Sequence, residues 1–365
     1  MNWRPYVKMR ISPAAAVLVA FAVLPGRDVH AETLRVELVR AASVVLSGAG
    51  LRVDGVMMTS GRVVVRADAG HLAVNGAAAA TVARVAADGP FNVDDRGVRA
   101  DVTLRAEGGL VSVVAALDLE DYVAGVTASE MVPSWPLEAL KAQAVAARTY
   151  ALRQKLAVGI DAAVHVQATV IDQVYRGAGA ETSSTIAAAL TTKGEVLTFG
   201  DEPIEAYFHA ACGGRTETAL AAFGHAQPYL ASAVCGADGD APKAKWTVRI
   251  SLEEVAARLG MAGLSSVSIT SRSETGRVAA VELRAGRSTR RMTAADFRRL
   301  VGYDRIFSLG FSVEVVHGEL RFTGSGSGHA VGLCQWGARG MARSGHDYRA
   351  MLAHYYPGTE LRRMY

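Results

Sequence analysis

Glu130 is a carboxylate whose position in the chain gives it no obvious structural duty. It stands in the run Ser129-Glu130-Met131-Val132-Pro133-Ser134-Trp135-Pro136, between two stretches of helical spacing. Met131, Val132 and Trp135 flank it. Apolar surroundings raise a carboxylate pKa by desolvation, which is what a general acid needs near neutral pH. Left in water, the same residue is an ordinary linker carboxylate, although loops carry sites often enough to keep both readings open. A second group follows it. Lys141 and Arg148 lie seven residues apart, two helical turns, and project from one face. Gln143 and Tyr150 repeat that spacing. Arg grips a carboxylate with two parallel hydrogen bonds and Lys meets it as a point charge, so this face suits an anionic ligand; solvated helix charges are the alternative. His209 lies in the stretch Pro203 to Glu217, whose first part alternates like a strand, and is either a core histidine or a hydrogen-bonding partner for hydroxyl groups. His329 and Cys334 invite a thiol-nucleophile reading. They lie five apart on a stretch that reads as a strand, so their side chains face opposite ways and the required base is missing.

The elements that must position these groups are readable in part. A short helix runs from Leu119 to Ala128 with Asp118 as its cap. Pro136 suits the first position of a long Ala-rich helix through Tyr150, with Trp135 or Ser134 before it. Glu138 then falls near the third position, where a carboxylate can reach back to a free backbone N–H, a structural duty. A third helix is expected over Glu181 to Thr192, and others over Leu252 to Leu259, Thr293 to Leu300, Gly337 to Ser344 and Tyr348 to Tyr355. Alternation marks strands at Thr33–Leu38, Arg62–Ala67 and, less cleanly, Val98–Leu104, with glycines punctuating at turn spacing. Asp172 to Gly177 reads as a strand end and turn.

This gives an α+β chain. Residues 1–31 carry Arg4, Lys8 and Arg10, an apolar run from Ala14 to Leu24, and Val29-His30-Ala31, the pattern of a secretory signal peptide cleaved after Ala31. The expected location is therefore exported: periplasm, envelope or outside the cell, with no membrane span left after cleavage. Residues 32–116 form a β-rich N-terminal region. Residues 117–236 and 313–365 form a mixed α/β core, and residues 237–312 a small α/β insertion from which no chemistry is expected.

Of the three cysteines, Cys212 and Cys235 are expected to pair in an oxidising compartment, leaving Cys334 over. A metal site would want more ligands than that loop offers. The formal charge of +4 and a pI of about 9.0 suit an anionic partner. No basic cluster is interleaved with aromatics, so nucleic acid is not the expected one.

The run Leu119 to Val126, then Ser129-Glu130-Met131, then Glu138 to Tyr150, resembles the signature of the stage II sporulation protein D (SpoIID)/LytB family, whose members act on bacterial peptidoglycan. Three further blocks carry the resemblance: Gln173-Val174-Tyr175-Arg176-Gly177, Cys212-Gly213-Gly214-Arg215-Thr216-Glu217, and Gly328 to Ala338 with the tail Tyr355-Tyr356-Pro357-Gly358-Thr359. Together they span about residues 95 to 360. Two positions depart from the family pattern: Val132 displaces the proline after Glu130-Met131 by one residue, and Ala330 stands where glycine is usual.

The resemblance implies a SpoIID-like catalytic core and a lytic transglycosylase with Glu130 as its single catalytic group, acid first and then base. It implies substrate contacts from Lys141, Gln143, Arg148, Tyr150, Gln173, Tyr175, Tyr207, His209, His329, Gln335 and Trp336. The implied partners are peptidoglycan glycan strands and a cell-wall amidase, which a non-catalytic relative would enhance. No cofactor is implied. Some members carry zinc on His and Cys before the Gln-Val-Tyr block; here only His165 remains at that place, so no metal is expected.

Overall fold

The computed structural model describes residues 32–169 and 172–365. The signal-peptide reading falls on residues 1–31, outside the described residues. The architecture is α+β. Leu119–Glu130 (α1), Leu137–Val158 (α2), Ser183–Thr191 (α3), Ala219–Phe223 (α4), Leu252–Leu259 (α5), Ala294–Val301 (α6), Gln335–Arg343 (α7) and Tyr348–Tyr355 (α8) are the α-helices. Among the described residues, none is long and apolar enough to cross a membrane.

The N-terminal region is two packed sheets. One has seven strands, with Thr33–Ala41, Leu110–Asp118 and Val102–Glu107 at its centre; the other has six, centred on Ser43–Ser47 and Arg62–Asp68. Val36, Leu38, Val44, Leu46, Val63, Val65, Leu104 and Val113 fill the space between them, as alternation with one buried face demands. The expected strand Val98–Leu104 is in fact two. Arg96–Val98 belongs to the six-stranded sheet and Val102–Glu107 to the seven-stranded one. Alternation survives across the break because both pieces face the shared core.

Strand Leu110–Asp118 runs straight into α1, where the Asp118 carboxylate accepts the N–H groups of Glu120 and Asp121 and caps the helix. The first core therefore continues without interruption from the sheets into Leu119, Tyr122, Val126, Leu140, Ala144 and Ala147. A second core packs on the other side of α2. It takes Ala139, Ala142, Val145, Ala146 and Tyr150 from that helix, with Leu197, Ile204, Leu333, Met351 and Tyr355. Most of α2 is buried between these two cores, its polar Gln143, Arg148 and Thr149 included. Alanine gives α2 both high helix propensity and the small radius that lets two cores close on it.

The first turn of α2 has no side-chain cap, because Pro136 occupies that place. Glu138 has a structural duty, but at a different helix: its carboxylate accepts the Tyr348 N–H at 3.0 Å, the opening turn of α8, and pairs with Lys141 at 2.7 Å.

The third core lies in the insertion and spans Trp246 to Phe322. Strand Glu319–Gly324 pairs with Trp246–Ser251 on one side and Phe311–Val316 on the other, so both later strands share a sheet with the insertion. Its Ser273–Arg277 turn is tied to the core. Ser273 and Thr275 donate to the buried Glu217 carboxylate, and Arg277 donates to the carbonyls of Cys212 and Arg215.

Candidate functional site

Glu130 is the last residue of α1, two residues beyond the expected end of that helix. It opens onto a cavity of about 680 Å³ whose wall also includes Tyr150, Asp172, Tyr207, His209 and His329. Burial pushes its carboxyl pKa upward. The Val174 N–H, the Gln335 side chain and the Arg176 charge oppose that shift without cancelling it. The Val174 N–H reaches Oε1 at 2.8 Å.

The segment that delivers this N–H is held from behind. Gln173 is buried, accepts the Tyr122 hydroxyl at 3.0 Å and donates to the Ala147 carbonyl. Tyr175 is buried against the Tyr122 ring, 5.4 Å between centroids, in space left by Gly125. Alternate residues therefore face the core, and the amide between them faces the carboxylate. Gln173 and Tyr175, expected as substrate contacts, are both buried in the core and neither is among the residues that line the cavity.

Gln335 and Gln143 also stand behind Glu130. Gln335 donates to Gln143 Oε1 at 3.2 Å, and both are buried. The sequence Gln143–Gln335–Glu130 is thus a positioning chain, and Gln143 takes no place in the cavity wall.

Two histidines form part of the same wall. His209 and His329 have ring centroids 5.6 Å apart. Burial holds both neutral, pushing their pKa values down to about 3 and about 4. His329 Nδ1 accepts the Val331 N–H at 3.1 Å. His209 Nδ1 lies 3.1 Å from the Val331 carbonyl, which assigns its proton to Nδ1 and leaves Nε2 as an acceptor. That Nε2 is buried with no hydrogen-bond partner among the described residues. In that tautomer Nε2 can accept a hydrogen bond from a hydroxyl group.

The close approach within this wall depends on glycine. Gly328 has φ +105°, and a Cβ there would stand 2.8 Å from His209 Cβ. Gly332 has φ +69°, and a Cβ there would run into the Tyr207 carbonyl. Ala330, between them, adopts φ +66° and is buried. The methyl group does not exclude the left-handed conformation; it sits in it.

The expected anion-binding face is not assembled. Arg148 is fully buried. It donates to both oxygens of Glu120, at 3.0 and 2.5 Å, and to Thr192 and the carbonyls of Glu195 and Ala189. Lys141 is held by Glu138 at the far end of α2 and lies 5.7 Å from the Tyr348 ring centroid. Trp336 is half-buried edge-on to Trp135, with Arg339 over its ring, and does not line the cavity.

Other residues in the wall carry no sequence signal of their role. Asp172 is a second carboxylate, but Tyr150 donates to one oxygen at 2.9 Å and the Gln167 N–H to the other at 2.7 Å. Arg298 and Tyr303 reach the cavity from the insertion, from which no chemistry was expected. Arg298 donates to the carbonyls of Ile306 and Phe307 and lies 4.7 Å from the Tyr303 ring centroid.

The three cysteines are free and buried, in place of the expected Cys212–Cys235 disulfide. Cys334, expected to be left over, is folded back against that pair.

A family model described as "Stage II sporulation protein" matches residues 107–199, which include α1, α2 and the segment carrying Val174. An uncharacterised protein of Brachyspira hyodysenteriae is 37% identical over 254 residues, 68% of each chain. The stage II sporulation protein D of Bacillus amyloliquefaciens is 34% identical over 267 residues, 68% of this chain and 75% of that protein. The amidase enhancer of Bacillus subtilis is 27% identical over 290 residues, 65% of this chain and 40% of that one.

Proposed function

This chain belongs to the stage II sporulation protein D family, and from that premise we propose that it is a lytic transglycosylase of peptidoglycan glycan strands. The observation that carries the proposal is the environment of Glu130: a desolvated carboxyl with a raised pKa, aimed by Val174 and Gln335 into a cavity of about 680 Å³. A protonated carboxyl gives its proton to the glycosidic oxygen as the C1–O bond breaks. The resulting carboxylate takes the proton of the sugar's own 6-hydroxyl as that oxygen closes on C1, leaving a 1,6-anhydro-N-acetylmuramic acid end.

A hydrolase needs a second carboxylate as base or nucleophile. Asp172 is the candidate in the wall, and both of its oxygens are already engaged. This supports one carboxylate acting twice. Arg298 supplies positive charge to the wall, the role expected earlier of Lys141 and Arg148. It would meet the lactyl carboxylate exposed on muramic acid once stem peptides are removed. The alternative, a binding module that stimulates an amidase, draws support from the relative named an amidase enhancer.

Mass spectrometry of peptide-free strands incubated with the protein tests these readings. Wild type yields anhydro-muramoyl ends, and Glu130→Gln lowers the rate by about 10²- to 10⁴-fold, the usual contribution of general acid–base catalysis. Arg298→Ala weakens retention of peptide-free strands more than of peptide-bearing ones. Reducing ends would indicate hydrolysis, near-normal cleavage by Glu130→Gln would remove that residue from the mechanism, and retention without cleavage would favour the binding module.

A further inference from the structure

A second constellation lies outside the cavity. The thiols of Cys212, Cys235 and Cys334 and the carboxylate of Asp238 converge, with all four donor atoms within 4.8 Å of one another and all four residues buried. They come from separate stretches of chain: the turn after strand Phe208–His209, the loop at 235–238, and the residue that caps α7. Cys212 Sγ and Cys334 Sγ lie 3.3 and 3.9 Å from Asp238 Oδ2. A tetrahedral zinc with Zn–S near 2.3 Å holds its sulfur donors about 3.7 Å apart, so a small contraction brings this set onto a metal.

The surroundings are those of thiolates. The N–H groups of Cys212 and Gly337 each point at Cys334 Sγ from 3.3 Å, the second from the first turn of α7. The Tyr355 hydroxyl lies 3.1 Å from Cys235 Sγ. The Gly213 N–H reaches Asp238 Oδ2 at 2.7 Å. Buried Arg277, bonded to the Cys212 carbonyl, places a positive charge behind the set. Outer hydrogen bonds of this kind orient metal ligands and offset their negative charge. A disulfide would use two of the sulfurs and leave the third as a buried thiol beside the Asp238 carboxylate.

We propose that Cys212, Cys235, Cys334 and Asp238 form a closed structural site for a divalent metal of zinc type. Three thiolates select a soft or borderline ion, and a fourth protein ligand leaves no open position for chemistry. The metal clamps strand Phe208–His209, itself part of the cavity wall, to strand Leu333–Cys334, whose next residue is Gln335. This inference does not depend on the reaction proposed for Glu130.

The test uses the full chain purified without chelator. Elemental analysis should give about one zinc per chain. Thiol titration in denaturant with chelator should count all three cysteines. Exchange for cobalt should give the thiolate charge-transfer band and the strong d–d bands of a tetrahedral site, and Cys334→Ser should remove about a third of the charge-transfer intensity. Asp238→Asn should keep that intensity and weaken retention of the ion. Chelation should lower the melting temperature. A single titratable thiol in denaturant would mean a disulfide, and three thiols without cobalt bands would mean an unmetallated cluster. Either result overturns the proposal on wild-type protein alone, whether or not the variants fold.

Discussion

Glu120 and Glu130 sit ten residues apart on the same helix and are shifted in opposite directions. Burial pushes the pKa of Glu120 upward, but Arg148, the Tyr365 hydroxyl and the Gly194 N–H outweigh it, and the net shift is down. Around Glu130 burial wins and the net shift is up. The difference lies in saturation. Glu120 and Arg148 satisfy each other, and the remaining guanidinium N–H groups end on Thr192, Ala189 and Glu195. Near Glu130, His209 Nε2 belongs to the cavity wall and is buried without a partner among the described residues. Polar groups that have used their hydrogen-bonding capacity hold a fold together; those with capacity left over are available to a ligand.

Arg148→Ala breaks the saturated side of this contrast. It leaves a buried carboxylate uncompensated and should lower stability by about 3–5 kcal/mol in chemical denaturation. Arg148→Met with Glu120→Leu should recover much of that loss, because the desolvation penalty goes with the charges. Equal destabilisation by the single and double variants would mean the pair holds the helices through something other than charge.

A smaller effect sharpens the contrast through pH. The raised pKa of Glu130 means that its ionisation disfavours folding; the penalty sets in as pH rises through the unfolded value and is complete above the folded one. Glu130→Gln should therefore melt with wild type at acid pH and above it at neutral pH. Glu120 has the opposite sign: the stability it supplies is present above the unfolded value and is lost as pH falls through its lowered folded one. A Glu130→Gln melting curve that tracks wild type at every pH would deny the desolvation on which the catalytic reading rests.

Ala330→Gly should change least. Relief of the left-handed conformation, about 1–2 kcal/mol, is offset by greater unfolded-state entropy and by loss of a buried methyl group, so stability should move by less than about 1 kcal/mol. A larger gain in thermal melts would show that the alanine strains the wall beside the histidines.

Much of this arrangement was legible in the sequence, and the rest was hidden for identifiable reasons. Lys141 and Arg148 do share a face of α2, as their spacing requires. Two turns is about 10.5 Å along the axis, however, and the two ends of that face meet different neighbours: Glu138 and Tyr348 at one, Glu120 at the other. Periodicity reports direction around an axis and nothing about what packs there. Gln173 and Tyr175 alternate correctly, but the functional group of that segment is the backbone N–H between them, which has no residue type to read. Arg298 and Tyr303 belong to a charged helix face and the loop after it, and only the docking of the insertion brings them to the cavity. Cys334 lies far along the chain from Cys212, so counting ligands within one loop could not include it.

Helix α2 carries one more implication. Its alanines touch the first core at 144, 147 and 151 and the second at 139, 142 and 146. A larger side chain at any of these positions collides with one core or the other, and no rotation of the helix relieves one collision without causing another. Compensation would need matched changes in two cores built from distant parts of the sequence. Single-step evolution therefore has few routes through this helix, and a library randomised across Ala139–Ala151 should return alanine, serine or glycine at these six positions.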